Sequence, residues 1–263
     1  MLKSYFIRNG FDNNNGMNNF SDLLIEAGEE ISIPSHSYRQ KGVDVRETKV
    51  DKVISRQCGK KEGLYFTLTP NAHTTPSTLV DVLQNCIKKL LRECGVNDGK
   101  ILVVGLGNEN VVVDALGNEV VKKIKTGGKA FTLSAIAPKV ADITGIKSFD
   151  IVKAIVDHHK PSAVIAIDTL ATGYLHRLGN CYQLTTAGIC PGGGVDNPQT
   201  CLNKNTLFVP VVAIGVPLII SVGNIMGDNS AEYAKYMLTP RDVDTLVSNS
   251  ADIISAAINN LSL

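Results

Sequence analysis

The chain has 263 residues, of which 44% are hydrophobic and 19% charged, so it can bury a substantial core and is not disordered throughout. Lys and Arg total 26 against 25 Asp and Glu, which leaves a net charge of +1 and argues against direct nucleic-acid binding. The longest apolar stretch, residues 207–223, is broken by Pro210 and Pro217, so it predicts buried strands rather than a membrane span. The six cysteines form no C-x-x-C pair and no secretory signal pattern is seen, so we expect reduced thiols in a cytoplasmic protein.

The N-terminal third divides into a leader and a β-rich extension. Residues 9–19, "NGFDNNNGMNN", are rich in Asn and Gly and predict a flexible leader. Residues 41–55 and 58–70 combine β-branched and aromatic residues with turn signals. They predict hairpins.

Beyond Thr75 the pattern alternates between helical and strand periods. A helix is predicted from Thr75 to a stop at Gly95, with Pro76 in its first turn. The terminal helix is predicted to begin at a cap formed by Thr239, Pro240 and Asp242. Between them the pattern predicts strands at 100–106, 130–136, 162–168, 181–186 and 208–214, and helices at 114–124, 148–159 and 171–178. This order predicts an α/β fold in which helices flank a largely parallel central sheet, with the N-terminal β-rich extension and a C-terminal helix.

Two aspartates follow strands of this predicted sheet. Asp168 ends the apolar run "AVIAID", and Asp114 lies after the strand "ILVVGL", at or near the start of a helix. Since functional groups collect beyond the carboxyl ends of parallel strands, the two carboxylates can converge at one edge and share a proton. The plainer interpretation is that Asp114 caps a helix and Asp168 binds loop amides, and spacing alone favours it.

Two glycine-rich loops are candidates for binding a peptide or an oxyanion. In "GLGN" the candidates are Gly107 and Asn108, although a tight turn is the simpler explanation and the third glycine of a dinucleotide motif is absent. In "CPGGGVDN" they are Gly192, Gly193 and Gly194. No metal site is predicted, because the adjacent histidines at 158 and 159 would point in different directions on a helix.

Several ordered segments closely resemble the germination protease family of spore-forming bacteria: "VVGLGNENVVVDALGNEVV", "KPSAVIAIDTLA", "AGICPGGGVDN", "TLFVPVVAIGVP" and "LTPRDVDTLVSNSADIISAAIN". The resemblance implies an atypical aspartic endopeptidase of the forespore and spore core that degrades small acid-soluble spore proteins, is homotetrameric and needs no cofactor. The family's two essential aspartates match Asp114 in "VDALG" and Asp168 in "AIDTLA".

The resemblance also implies an inactive precursor that removes its own N-terminal segment between an acidic and an apolar residue. In "FSDLLIEAGEE" this junction matches Asp22 and Leu23. The domain hypothesis is therefore a propeptide at 1–22 and a single α/β peptidase domain at 23–263.

The chain departs from the family's "SDTGIHPGSG"-like run, because Thr186 replaces an acid and Cys190 replaces a histidine. Two alternatives stay open at this point. One is a metal-dependent endopeptidase like those that mature hydrogenases, and the other is a non-catalytic protein that binds spore proteins without cutting them.

Overall fold

A computed structural model describes residues 21–190, 201–228, 230–234 and 236–262. Within them nine strands form one sheet. The strands are β1 (His36–Gln40), β2 (Val43–Val50), β3 (Gly63–Pro70), β4 (Gly99–Gly105), β5 (Phe131–Ile136), β6 (Ala163–Thr172), β7 (Tyr182–Thr185), β8 (Val211–Ser221) and β9 (Met237–Leu238).

The sheet joins a parallel core to an antiparallel wing. The spatial order is β1-β2-β3-β7-β8-β6-β4-β5, and β9 pairs with the C-terminal end of β8. Strands β8, β6, β4 and β5 run parallel, whereas β7, β3, β2 and β1 pair antiparallel. The predicted α/β fold with its parallel core is confirmed, and the N-terminal β-rich extension is part of the same sheet.

Helices lie on both faces of the sheet. In chain order they are α1 (Leu24–Ile31), α2 (Lys52–Cys58), α3 (Pro76–Glu93), α4 (Leu116–Lys122), α5 (Ala141–Thr144), α6 (Ser148–His159), α7 (Lys204–Leu207), α8 (Val222–Met226), α9 (Ala231–Ala234) and α10 (Val243–Asn259). Among the described residues no helix has the length and apolar character needed to cross a membrane.

One face, called here the helical face, is covered by α3, α4 and α10. Apolar side chains of these helices form a continuous core with alternate residues of the strands, including Phe66, Ile165 and Ile214. Helix α3 forms because Thr75 caps its first turn, Pro76 fits its first position and its apolar residues recur on one side. Burial of that apolar stripe is the main stabilising contribution on this face.

The other face, called here the cleft face, is covered in two separate parts. Helices α6 and α7 share a smaller core with residues of β4, β6 and β8. Helix α1 packs on the wing, where Leu24 belongs to one small apolar cluster with Tyr65 and Val50. Between these two covers the sheet is open.

Three local predictions are wrong for identifiable reasons. Residues 171–178 do not form a helix, because β6 continues to Thr172 and only a 3₁₀ turn, Leu175–Arg177, follows. Helix α10 begins at Val243 after Asp242, which makes no side-chain cap, so the predicted start at Thr239 is too early. Short helix α2 lies inside the region predicted as hairpins, because Asp51 accepts hydrogen bonds from Val53 and Ile54 and caps it.

Candidate active site

Asp168 lies inside β6, not at its end. It is paired with Gly215 of β8, and Gly215 is paired in turn with Gln183 of β7. Directly paired residues present their side chains on the same face, so Asp168 and Gln183 belong to one row across the cleft face. The carboxylate of Asp168 is half-buried and accepts a hydrogen bond from the backbone N–H of Thr169 at 2.9 Å. The apolar strand can hold this charge because the sheet is open there.

Asp114 closes a 3₁₀ turn, Val112–Asp114, just before α4. Its Oδ2 accepts a hydrogen bond from the backbone N–H of Asn108 at 2.8 Å. The loop can approach this closely because residue 107 is glycine: its φ is +97°, and a Cβ there would lie 2.0 Å from the backbone oxygen of Asp114. The "GLGN" motif therefore fixes Asp114.

The segments that carry the two aspartates are bonded directly to each other. Thr169 donates from Oγ1 to the backbone oxygen of Val113 at 2.7 Å, and the N–H of Leu106 donates to the oxygen of Ile167 at 2.8 Å. The residue after Asp168 thus contacts the residue before Asp114. Asp168 lines the cleft, whereas Asp114 is bound to the N–H of Asn108 and is not among the residues that line it.

The environment of Asp114 favours its neutral form. Burial raises the pKa of its carboxyl, because the charged form loses hydration there, and the hydrogen bond from Asn108 acts in the opposite direction. A carboxyl with a raised pKa is a better candidate for a proton donor than one with its ordinary pKa. The role of Asp114 and Asp168 as a catalytic pair stays a prediction.

The cleft has a volume of about 290 Å³ and is lined by residues of β3, β6, β7 and β8 together with Asp22. Asp22 is bound to β6 twice: its N–H donates to the oxygen of Ala171 at 2.9 Å, and its Oδ2 accepts from the N–H of Ala171 at 2.7 Å. The next side chain, Leu23, is fully buried and packs with Leu170 and Cys181. The junction predicted from sequence therefore lies in the same cleft as Asp168.

Polar contacts fix the chain on both sides of this junction. Before it, Lys60 donates from Nζ to the backbone oxygen of Ser21 at 2.6 Å. After it, the carboxylate of Glu26 is 2% exposed, accepts from the N–H of Gly173 at 2.7 Å and lies 3.5 Å from the guanidinium of Arg177. A buried carboxylate opposite a buried cation indicates a segment docked in one specific register.

The predictions that the two glycine-rich loops bind a peptide or an oxyanion stand differently. The N–H of Asn108 is engaged by Asp114, so in this arrangement it is not an oxyanion donor. The other candidates, Gly192, Gly193 and Gly194, lie outside the described residues. Their binding role stays a prediction.

The expectation that all six cysteines are reduced is wrong for two of them. Cys190 and Cys201 form a disulfide, because an antiparallel bridge between Ile189 and Leu202 brings their Cα atoms to 4.0 Å. A separation of eleven residues gave no sign of this pairing in the sequence. Cys190 lines the cleft.

Thr186, the other departure from the family pattern, has a structural contact. Its Oγ1 accepts a hydrogen bond from the N–H of Leu64 at 3.0 Å, which extends the pairing of β7 with β3. Among residues 21–190 and the described part from 201 onward, no three His, Cys, Asp or Glu side chains are grouped as metal ligands.

Comparison with known proteins gives a consistent result. A family model described as germination protease matches residues 25–235. In an alignment 299 residues long, the chain is 32% identical to a germination protease of Caldanaerobacter subterraneus subsp. tengcongensis. The alignment covers 91% of this chain and 92% of that relative. It is 36% identical over 210 residues to that of Bacillus mycoides, covering 72% of this chain and 56% of that relative. This chain therefore spans little more than half the length of the Bacillus relative.

A solved structure is also similar to the chain. A NiFe hydrogenase maturation protease, HycI from Thermococcus kodakarensis KOD1, is 16% identical with a TM-score of 0.39. The match covers 65% of this chain and 99% of that one.

Proposed function

Because this chain belongs to the germination protease family, we propose that it is a self-processing endopeptidase that degrades small acid-soluble spore proteins during germination. The observation that carries the proposal is the position of Asp22 and Leu23. An acidic residue followed by a buried apolar one lies in the cleft that Asp168 lines. This position supports the proposal that the chain's own N-terminal segment binds in the cleft as a substrate.

In the proposed reaction Asp168 is the base and Asp114 is the acid. Asp168 takes a proton from water, and the water oxygen forms a bond to the carbonyl carbon of the scissile peptide while the π electron pair of that carbonyl moves onto its oxygen. The carbonyl double bond forms again as the C–N bond breaks, and the leaving nitrogen takes a proton from the Asp114–Asp168 pair. Burial raises the pKa of Asp114, and this direction supports its role as the acid of the pair.

The proposed domain boundaries, oligomeric state and location follow the family. We propose that residues 1–22 form the propeptide, that residues 23–263 form the peptidase domain, and that the enzyme is a homotetramer in the forespore and spore core. Analytical ultracentrifugation of the purified chain tests the tetramer. A species of the monomer mass at micromolar concentration contradicts it.

The activity is tested by incubating the purified chain with a small acid-soluble spore protein and identifying fragments by mass spectrometry. We expect cuts after acidic residues in the wild type and a loss of at least about 10³-fold in Asp168→Asn and Asp114→Asn. Asp142→Asn, an exposed aspartate in α5, is the matched control and should cut at the wild-type rate. Binding without fragments would instead indicate a non-catalytic binding protein, and loss of cutting in a chelator would indicate a metallopeptidase.

A further inference from the structure

Gln183 is a buried polar residue beside the predicted cleavage junction, and nothing in the sequence pattern singled it out. It lies on β7 in the row that contains Gly215 and Asp168, and it is 6% exposed. A carboxamide this buried requires hydrogen-bond partners. Its carboxamide forms hydrogen bonds with two groups of the N-terminal segment.

The oxygen and the nitrogen of the Gln183 carboxamide bind the main chain on either side of Leu23. Its Oε1 accepts from the N–H of Leu24 at 2.7 Å, and its Nε2 donates to the backbone oxygen of Asp22 at 3.2 Å. The orientation of the amide is fixed by these partners, because only the oxygen can accept and only the nitrogen can donate. The carbonyl that receives the Nε2–H is the carbonyl of the Asp22–Leu23 peptide bond.

The surrounding contacts place that bond firmly. The backbone of Leu23 is extended, with φ −80° and ψ 129°, and its side chain is fully buried. The carboxylate of Asp22 is bound by the N–H of Ala171 at 2.7 Å. Gly215 contributes by its lack of a side chain: a Cβ there would lie 2.4 Å from Leu170, which packs on Leu23.

We propose that Gln183 is a catalytic residue of the self-cleavage reaction, in which its carboxamide holds the Asp22–Leu23 bond extended and its Nε2–H stabilises the negative charge that develops on the Asp22 carbonyl oxygen. This inference rests on the proposed function and adds an oxyanion donor to it. A fixed donor aimed at the reacting oxygen lowers the barrier because it needs no reorganisation as the charge forms. The backbone N–H of Ala171, which binds the Asp22 carboxylate, supplies the preference for an acidic residue on the N-terminal side of the cut bond.

The test measures the first-order rate at which the full chain is cut between Asp22 and Leu23, by intact mass. Gln183→Glu keeps an acceptor for Leu24 but loses the donor, so the rate should fall by about 10²–10³-fold at neutral pH. Gln84→Glu is the matched control, because Gln84 of α3 also donates to a backbone oxygen, that of Asn260 at 2.9 Å, on the helical face. It should be cut at the wild-type rate.

A pH series separates this role from a merely structural one. As the pH falls, the introduced carboxyl becomes protonated and can donate again, so the Gln183→Glu rate divided by the wild-type rate should rise. Gln183→Met, which cannot donate at any pH, should stay low throughout. Melting temperatures of the variants show whether the fold is retained.

The outcomes distinguish this inference from the proposed function. A wild-type chain that never cuts itself or spore protein ends the proposed function and the inference with it. A cutting wild type together with a Gln183→Met chain that cuts equally fast overturns the inference alone. A ratio for Gln183→Glu that does not change with pH also contradicts the donor role.

Discussion

The two faces of the sheet are built on different principles. On the helical face, three helices bury a continuous apolar core, and buried polar contacts such as that of Tyr182 with Ser250 are few beside it. On the cleft face, the covers are separate, and the N-terminal segment between them is fixed by hydrogen bonds and a buried ion pair. Burial of apolar area stabilises the packing of a helix on the sheet. Buried polar contacts instead fix the register of a segment, which can dissociate when the chain is cut.

The helical face should respond to truncation with a global loss of stability. Leu90 of α3 is fully buried there, and Leu90→Ala should lower the free energy of unfolding by about 3 kcal/mol, since it leaves a cavity in the core. Urea denaturation measures the change. Leu175→Ala, at a side chain 61% exposed, is the control and should change it by less than about 0.5 kcal/mol. Equal effects of the two variants would contradict the assignment of the core.

A substitution on the cleft face should destabilise mainly the N-terminal segment and α1. Glu26→Ala removes the carboxylate that faces Arg177, Thr172 and Gly173, so α1 should detach more often and let water reach the remaining charge. We expect faster amide exchange in residues 22–31 and a global loss of only about 1–2 kcal/mol, smaller than for Leu90→Ala. Both are measured in the uncut Asp168→Asn background. Exchange that rises equally in α3 would show that the faces are not independent.

Exposed Glu62 provides the matched control for this variant. Glu62→Ala removes the same kind of charge near the cleft without a buried partner among the described residues. It should leave amide exchange in residues 22–31 unchanged. A comparable increase would attribute the effect to net charge rather than to the buried pair.

The smallest effect concerns the charge on Asp114. Its raised pKa means that the folded state favours the protonated form, so its contribution to stability is fully present below the ordinary pKa of 3.8 and is lost as the pH rises through the raised value. Asp114→Asn should therefore raise the melting temperature at pH 7 by about 2 °C and have less effect at pH 3.5. Thermal unfolding at both pH values checks it, with Glu119→Gln as the charge control. A larger gain at pH 3.5 would reverse the sign and contradict the account.

Most of the sheet and its helices could be predicted from the sequence. Helices α3 and α6 and strand β4 have strong periods and clear ends, and the structure confirms them. The extension of β6 beyond Asp168 could not be predicted, because a carboxylate after five apolar residues resembles a strand end. It is tolerated inside the strand only because the cleft face is open there.

The site was predicted less completely than the fold. Asp114 and Asp168 became candidates through the family resemblance, since spacing alone did not distinguish a catalytic from a structural carboxylate, and their catalytic role stays a prediction. Gln183 could not be found, because its role depends on the pairing of β7 with β8, which sets it in the same row as Asp168. The pairing of Cys190 with Cys201 likewise depends on a backbone bridge, between Ile189 and Leu202, that the sequence does not show.

The most direct test of the central claim is the N-terminal sequence of the purified full chain after incubation, for the wild type and for Asp168→Asn. If the cleft on the open face cuts the segment that lies in it, the wild type acquires Leu23 as its first residue and Asp168→Asn keeps its original N-terminus. A new N-terminus at Leu23 that forms equally fast in both chains would contradict the account.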